Sequence, residues 1–221
     1  MRQKLLCYFI CSLVSIGTAT AQKDTTAYKN IGLGIGLNLT RTDLSETYQK
    51  PTSSFIAYLQ FAKQRKLTSA LYLSFGQLTS ENSAVKFLDQ SEFQINSFSL
   101  TTYQSAHFEG IYNLLNKHGF KISVSQGFGF MRYSVYDQND TLLINVLNSR
   151  AQGETYSGFS ILLPTSISFS YLLKNDYGIQ GRLSIQNTLT DYLDNISIFG
   201  DESNNDNIIS FQITAFKRIQ F

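Results

Sequence analysis

Apolar and polar residues alternate with a period of two along most of the chain. The clearest example is the last stretch, NIISFQITAFKRIQF. One parity carries apolar side chains, and the other carries mostly polar ones: Ile209, Phe211, Ile213, Ala215, Ile219 and Phe221 against Ser210, Gln212, Thr214, Arg218 and Gln220. Successive side chains of a strand point to opposite faces, so this pattern predicts a strand with one apolar face that ends on the aromatic Phe221.

Eight such segments follow one another, and sustained helical periodicity is absent. The predicted strands cover residues 31–40, 53–63, 67–78, 93–115, 120–136, 155–173, 178–190 and 209–221. Short turns follow the second, fourth and sixth segments, whereas longer polar loops follow the first, third, fifth and seventh, at about 43–52, 79–92, 137–154 and 191–206. An even number of strands with tight turns at one end and long loops at the other is typical of an all-β, eight-stranded antiparallel up-and-down transmembrane β-barrel. We expect the last strand to pair with residues 31–39 and close the sheet.

The polar rows decide which face points outwards. A soluble barrel also alternates, but a water-exposed surface would carry about 25 to 35% charged residues. Here the polar rows are small and neutral: Gly32, Gly34, Gly36 and Asn38; Ser123, Ser125, Gly127 and Gly129; Ser166, Ser168 and Ser170; Ser184 and Gln186. We therefore expect lipid outside and a narrow, neutral polar lumen that side chains fill.

Aromatic residues near the strand ends predict two interfacial girdles. The expected lower girdle contains Phe61, Tyr112, Phe120, Tyr171 and Phe221, and the upper one contains Tyr133, Tyr136, Tyr156 and Tyr192.

The amino terminus predicts export. Residues 1–21 combine basic Arg2 and Lys4, an apolar run and an A-x-A ending, which is typical of a cleaved secretory signal. The expected mature domain, residues 22–221, retains no cysteine, because Cys7 and Cys11 lie in the signal. The 18 basic residues include Arg2 and Lys4, so 16 remain beside 16 acidic ones, and nothing in the net charge favours nucleic acid.

These features together resemble the small outer-membrane β-barrel proteins of the OmpA/OmpX type, including the PorT-like barrel families. The resemblance is architectural and covers essentially the whole mature chain. It implies that Phe211, Ile219 and Phe221 form a carboxyl-terminal signal for the barrel-assembly machinery.

Four ionisable or polar residues are candidates for chemistry in the lumen. His107 and Glu109 share the lumen parity of the fourth strand, and Arg182 has that parity in the seventh. A buried carboxylate needs a partner, which Arg182 or Lys121 would supply. One hypothesis makes His107 and Glu109 an acid/base pair; we prefer a polar plug. A lipid A deacylase would carry His-x-Ser, whereas this chain has Glu109 at the third position, and a lipid A palmitoyltransferase would need an apolar lumen.

Three further features have structural interpretations. Gly32, Gly34 and Gly36 lack the helix of a dinucleotide loop, so we expect them to relieve crowding where the first and last strands meet. Pro164 predicts a bulge or a lumen-facing irregularity. Acidic residues concentrate in the long loops. A weaker hypothesis is that Asp201, Glu202 and Asp206 bind divalent cations near lipopolysaccharide.

We therefore expect a monomeric outer-membrane barrel of a Gram-negative bacterium that is not an enzyme. It would have no cofactor and no metal site, and would contact outer-membrane lipid and lipopolysaccharide. Its role would be structural or in surface interaction through long loops; the alternatives are a lipid-modifying enzyme and a narrow small-solute channel.

Overall fold

The fold is a closed antiparallel barrel in which each strand pairs with its neighbours in sequence. The computed structural model describes residues 27–42, 44, 48, 50–63, 66–81, 97–146, 158–196 and 205–220. Its eight strands are β1 Ala27–Arg41, β2 Thr52–Lys63, β3 Leu67–Glu81, β4 Phe98–Lys117, β5 Phe120–Tyr136, β6 Phe159–Leu172, β7 Tyr177–Thr188 and β8 Asn207–Gln220. Within the described ranges, no helix has both the length and the apolar character needed to cross a membrane. The predicted fold class is confirmed, whereas the signal at residues 1–21 lies outside the described residues.

Closure occurs between the first and last strands, as predicted. Ile35 lies opposite Ile213, and the β1–β8 register continues without interruption from Tyr28 to Arg41. This pairing leaves no sheet edge, so every strand finds hydrogen-bond partners on both sides.

The apolar rows face outwards. In β1, Ile31, Leu33, Ile35 and Leu37 are all exposed, and Ile35 is the most exposed of them at 70%. The intervening Gly32, Gly36 and Asn38 are buried. Polar side chains interrupt the outer apolar surface towards the long-loop end of the barrel: Gln77, Gln104 and Arg132. An apolar exterior of this kind matches hydrocarbon rather than water.

The predicted lower girdle agrees with the side-chain directions better than the upper one. Phe61, Phe120 and Tyr171 are exposed on the outer face. The assignment of Tyr133 to the upper girdle is wrong. Its side chain faces the lumen, is only 4% exposed and packs in an internal apolar cluster. The side chains of Tyr156 and Phe221 lie outside the described residues.

Pro164 is buried towards the lumen beside a gap in the β5–β6 pairing, which agrees with the expected lumen-facing irregularity. The alternative, a bulge, is absent there, because the register with β5 is the same on either side of the gap. The register shift occurs instead in β4, between Asn113 and Leu115. Both Leu114 and Leu115 are exposed there, so the extra residue adds apolar surface on the outside.

The lumen is not polar throughout, which corrects the expectation of a uniformly neutral polar interior. An apolar cluster lies at its long-loop end: Leu78, Tyr103, Met131, Tyr133, Val135, Leu143, Leu193 and Ile208. Leu143 and Leu193 come from connecting loops rather than from strands. The loops therefore contribute to the packing inside the barrel.

Candidate functional site

A buried ion pair spans the lumen between β4 and β7. The Nη2 group of Arg182 donates to Oε1 of Glu109, and the two side chains are 2% and 0% exposed. The Oγ of Ser125 donates to the second carboxylate oxygen, Oε2, at 2.8 Å. These contacts meet the requirement that a buried charge be paired and hydrogen-bonded.

Arg182 is held by several further contacts. Its Nη2 also donates to Ser166 Oγ at 2.7 Å, and its Nη1 donates to Gln212 Oε1 at 3.2 Å. The guanidinium lies 4.0 Å from the centroid of the Tyr72 ring. Since Tyr72 in turn stacks on Tyr58 at 5.3 Å, the cation rests on an aromatic surface that fixes its position.

His107 lies near the ion pair but makes no hydrogen bond to it. Its Nε2 lies 3.2 Å from Glu109 Oε1, yet neither ring nitrogen meets hydrogen-bond geometry with any described residue. The imidazole is buried and stacks on Tyr72 with a ring separation of 5.2 Å.

Two glycines of β5 make room for these side chains. A Cβ added at Gly129 would lie 2.3 Å from the Cβ of His107, and one at Gly127 would lie 2.7 Å from the Cγ of Glu109. The predicted relief of crowding in β1 is also present, because a Cβ at Gly34 would meet the backbone oxygen of Ile213 in β8 at 2.1 Å. Small residues in the lumen rows are thus matched to large or charged neighbours.

Lys121 does not belong to this network, which corrects its predicted grouping with His107, Glu109 and Arg182. The β4–β5 register places Gly127 opposite Glu109 and Lys121 opposite Asn116. Six residues of strand separate Gly127 from Lys121, a distance of about 20 Å at the rise of a strand. Lys121 therefore lies at the short-turn end of the barrel, and Arg182 is the cation that pairs with Glu109 in the described part of the chain.

A second polar arrangement, missed by the sequence analysis, holds the long loops against the barrel. The carboxylate of Asp194 accepts hydrogen bonds from the backbone N–H groups of Leu44 at 2.7 Å and Ile196 at 2.9 Å. Asp206 similarly accepts from the Leu193 N–H at 2.8 Å. Asp194 is completely buried, and burial raises the pKa of its carboxyl to about 6.

The described residues form no metal site, and only two of the three residues of the predicted assembly signal are described. The described part of the chain contains no group of three His, Cys, Asp or Glu residues that could hold a metal ion. Asp206 is buried against Leu193, and Asp201 and Glu202 lie outside the described residues. Phe211 and Ile219 have the expected outward parity in β8, while Phe221 falls outside the description.

Small outer-membrane barrels are among the solved structures that resemble this chain. Neisserial surface protein A superposes with a TM-score of 0.53 at 12% identity, covering 87% of this chain and 97% of the other. Ail of Yersinia pestis, solved in complex with the heparin analogue sucrose octasulfate, gives a TM-score of 0.51 at 9% identity over 87% and 99% of the two chains. No protein-family model and no curated protein matches the chain. These likenesses show that the chain has the fold of a small outer-membrane β-barrel.

Proposed function

We propose that the chain is a non-conducting outer-membrane barrel whose long loops serve a structural or surface-interaction role. The observation that carries this proposal is the closure of the lumen at two levels. The Glu109–Arg182 pair crosses its middle, and the apolar cluster around Met131 fills its long-loop end. Short turns would then face the periplasm and the long loops the exterior.

The two levels of closure support each other. Disrupting only the ion pair would leave the apolar cluster, in which Leu143 and Leu193 are 2% exposed. Hydrogen bonds link this cluster to the barrel wall: Tyr103 accepts one from Asn38 Nδ2 at 3.0 Å, and Thr101 donates to the backbone oxygen of Leu193. A solute would have to displace packed side chains at both levels.

The surroundings of His107 favour a role without catalysis. A lipid-modifying enzyme must present its reactive groups to lipid, either at the outer surface or in a cavity that admits an acyl chain. His107 is 3% exposed and points to the lumen, and leucines from the loops occupy the apolar upper lumen. Incubating the purified protein with lipid A and measuring product masses tests this part of the proposal; any deacylated or acylated product would contradict it.

The charge of the loops limits the partners that fit them. Loop 4, residues 189–206, contains no Lys or Arg, and beside the buried Asp194 and Asp206 it carries Asp191, Asp201 and Glu202. Ail has a sulfated ligand in its structure, but an acidic loop surface would repel such a polyanion and attract a cationic partner. We therefore expect no retention of this protein on heparin at physiological salt.

The proposed barrel is a monomer, and lipopolysaccharide contacts its outer face. Arg132 is exposed on the outer face towards the long-loop end, where it can meet an anionic group of the outer leaflet. An Arg132→Gln variant should show a smaller lipopolysaccharide-dependent shift in native gels than the wild type. Equal shifts would remove Arg132 from this role, and a cross-linked dimer at low protein-to-lipid ratio would contradict the monomer.

Solute flux into liposomes tests the proposal as a whole. Vesicles that contain the folded protein should take up neutral sugars no faster than protein-free vesicles, because the lumen is filled. A large-pore barrel in parallel vesicles provides the positive control. Rapid, protein-dependent uptake would instead identify a channel.

A further inference from the structure

A small cationic pocket opens at the short-turn end of the lumen, below the closed layers. Its volume is about 310 Å³, and its wall comes from β1, β4, β5, β6, β8 and one turn. The residues that line it are Tyr28, Asn30, Asn116, Gly119, Lys121, Ser170, Leu172, Phe216 and Arg218. Two cations face the pocket, and no carboxylate is among its lining residues.

Arg218 is held in place by stacking and forms no salt bridge with any described residue. Its guanidinium lies 4.1 Å from the centroid of the Tyr28 ring, and Tyr28 itself is buried. Its Nε is buried and has no hydrogen-bond partner among the described residues. Stacking fixes the plane of the guanidinium and leaves its edge, which carries the N–H donors, free to bind.

Lys121 adds a second positive charge to the same pocket. It is half-buried, and the charge of Arg218 is close enough to repel it. Two like charges around one small cavity are unfavourable unless an anion lies between them. The chain thus keeps two cations where burial and repulsion both oppose them.

We propose that this pocket binds the phosphate group of a small solute on the periplasmic side. A phosphate carries about 1.5 to 2 negative charges at neutral pH, which matches two cations better than the single charge of a carboxylate. Asn30 supports this choice: its Nδ2 donates to Gln60 Oε1 at 2.9 Å, while its buried Oδ1 lacks a partner in the described structure. A hydroxyl on the phosphate can donate to that oxygen.

Nuclear magnetic resonance of the folded protein in detergent micelles tests the site, with inorganic phosphate as the probe at constant ionic strength. Saturable shifts are expected at the amides of Ser170 and Asn30. The K121Q/R218Q variant should bind phosphate about tenfold or more weakly, because it lacks both charge-assisted contacts. The matched control K117Q removes an exposed lysine at the same end and should bind like the wild type.

Three outcomes would overturn the proposal: no saturable shift in the wild type, equal binding by K121Q/R218Q, or equal affinity for acetate and phosphate. Heat-dependent gel migration establishes that each variant is folded, and single K121Q and R218Q variants replace the double variant if it fails that check. Titration with glycerol phosphate distinguishes the source of the group. Tighter binding than inorganic phosphate indicates a phosphorylated solute, and weaker binding indicates free phosphate.

Discussion

Glu109 and Arg182 form a buried ion pair across the lumen, although their strands, β4 and β7, are not neighbours in the sheet. The pair therefore joins opposite walls of the barrel. Because both side chains are almost completely buried, each charge depends on the other for its solvation.

Removing one member of this pair should destabilise the barrel more than removing both. In Glu109→Gln the buried guanidinium loses its counter-charge, and we expect the free energy of unfolding to fall by about 3 to 5 kcal/mol. Glu109→Gln with Arg182→Met removes both charges and should lose less. Urea unfolding in lipid vesicles, followed by gel migration, measures both values; an undiminished stability for Glu109→Gln would contradict the pairing.

The glycine opposite His107 should not tolerate a methyl group. In Gly129→Ala the new Cβ would meet the backbone and Cβ of His107, so overpacking should cost about 1 to 3 kcal/mol. Gly181→Ala is a matched control, because a Cβ at Gly181 would meet no atom within 4 Å. The same unfolding measurement applies, and equal stabilities for the two variants would show that the lumen is less tightly packed at this level.

The folded loop around Asp194 should lose stability as the pH rises, because its hydrogen bonds only partly offset the cost of burying an ionised carboxylate. Burial raises the pKa of this carboxyl from 3.8 to about 6 in the folded protein, so the folded state binds the proton more tightly than the unfolded state. The contribution is then fully present below about pH 4 and decreases as the pH passes 6, by about 3 kcal/mol at most.

Hydrogen exchange, corrected for the intrinsic pH dependence of the rate, can follow this contact. The Leu44 and Ile196 amides donate to Asp194 and report on opening of this loop. Their protection should fall between pH 4 and 7, because opening returns the ionised carboxylate to water. Asp194→Asn should abolish that pH dependence. The Leu193 amide, which donates to Asp206, provides an internal reference. Protection that rises with pH would show that folding lowers the pKa of Asp194 instead of raising it.

A charged residue on the lipid face should lower the free energy of unfolding more at mid-height of the barrel than at its rim. Ile35 lies in the middle of β1 and is 70% exposed; Leu67 begins β3 and is 68% exposed. Ile35→Arg should reduce stability by about 2 to 4 kcal/mol and Leu67→Arg by about 0 to 1 kcal/mol. Unfolding in vesicles gives both values, and similar small losses would argue that water, not lipid, surrounds the barrel.

Local alternation was enough to predict most of the fold. The outward rows, the alternating loop lengths and the β1–β8 closure all follow from residue parity and strand count, as the pairing of Ile35 with Ile213 illustrates. The partner of Glu109 was also among the candidates, because a buried carboxylate requires a cation and few are available on the lumen parity.

The features that sequence analysis missed depend on contacts distant along the chain. In the upper half of β5, Phe128 and Phe130 face out while Met131 and Tyr133 face in. Both parities are apolar there, so periodicity gives no direction. Leu193 packs inside the barrel through a loop that no strand pattern predicts. Lys121 was grouped with Glu109 because parity identifies the face of a strand but not the height along it.

Single-channel recording in planar bilayers tests the closed lumen most directly. The wild type should show no large, stable conductance, because the Glu109–Arg182 pair and the apolar cluster both obstruct the path. Replacing Glu109 and Arg182 with serine and Leu193 with glycine should open measurable conductance in a protein that still shifts on heating. A large, stable conductance from the wild type would contradict the account.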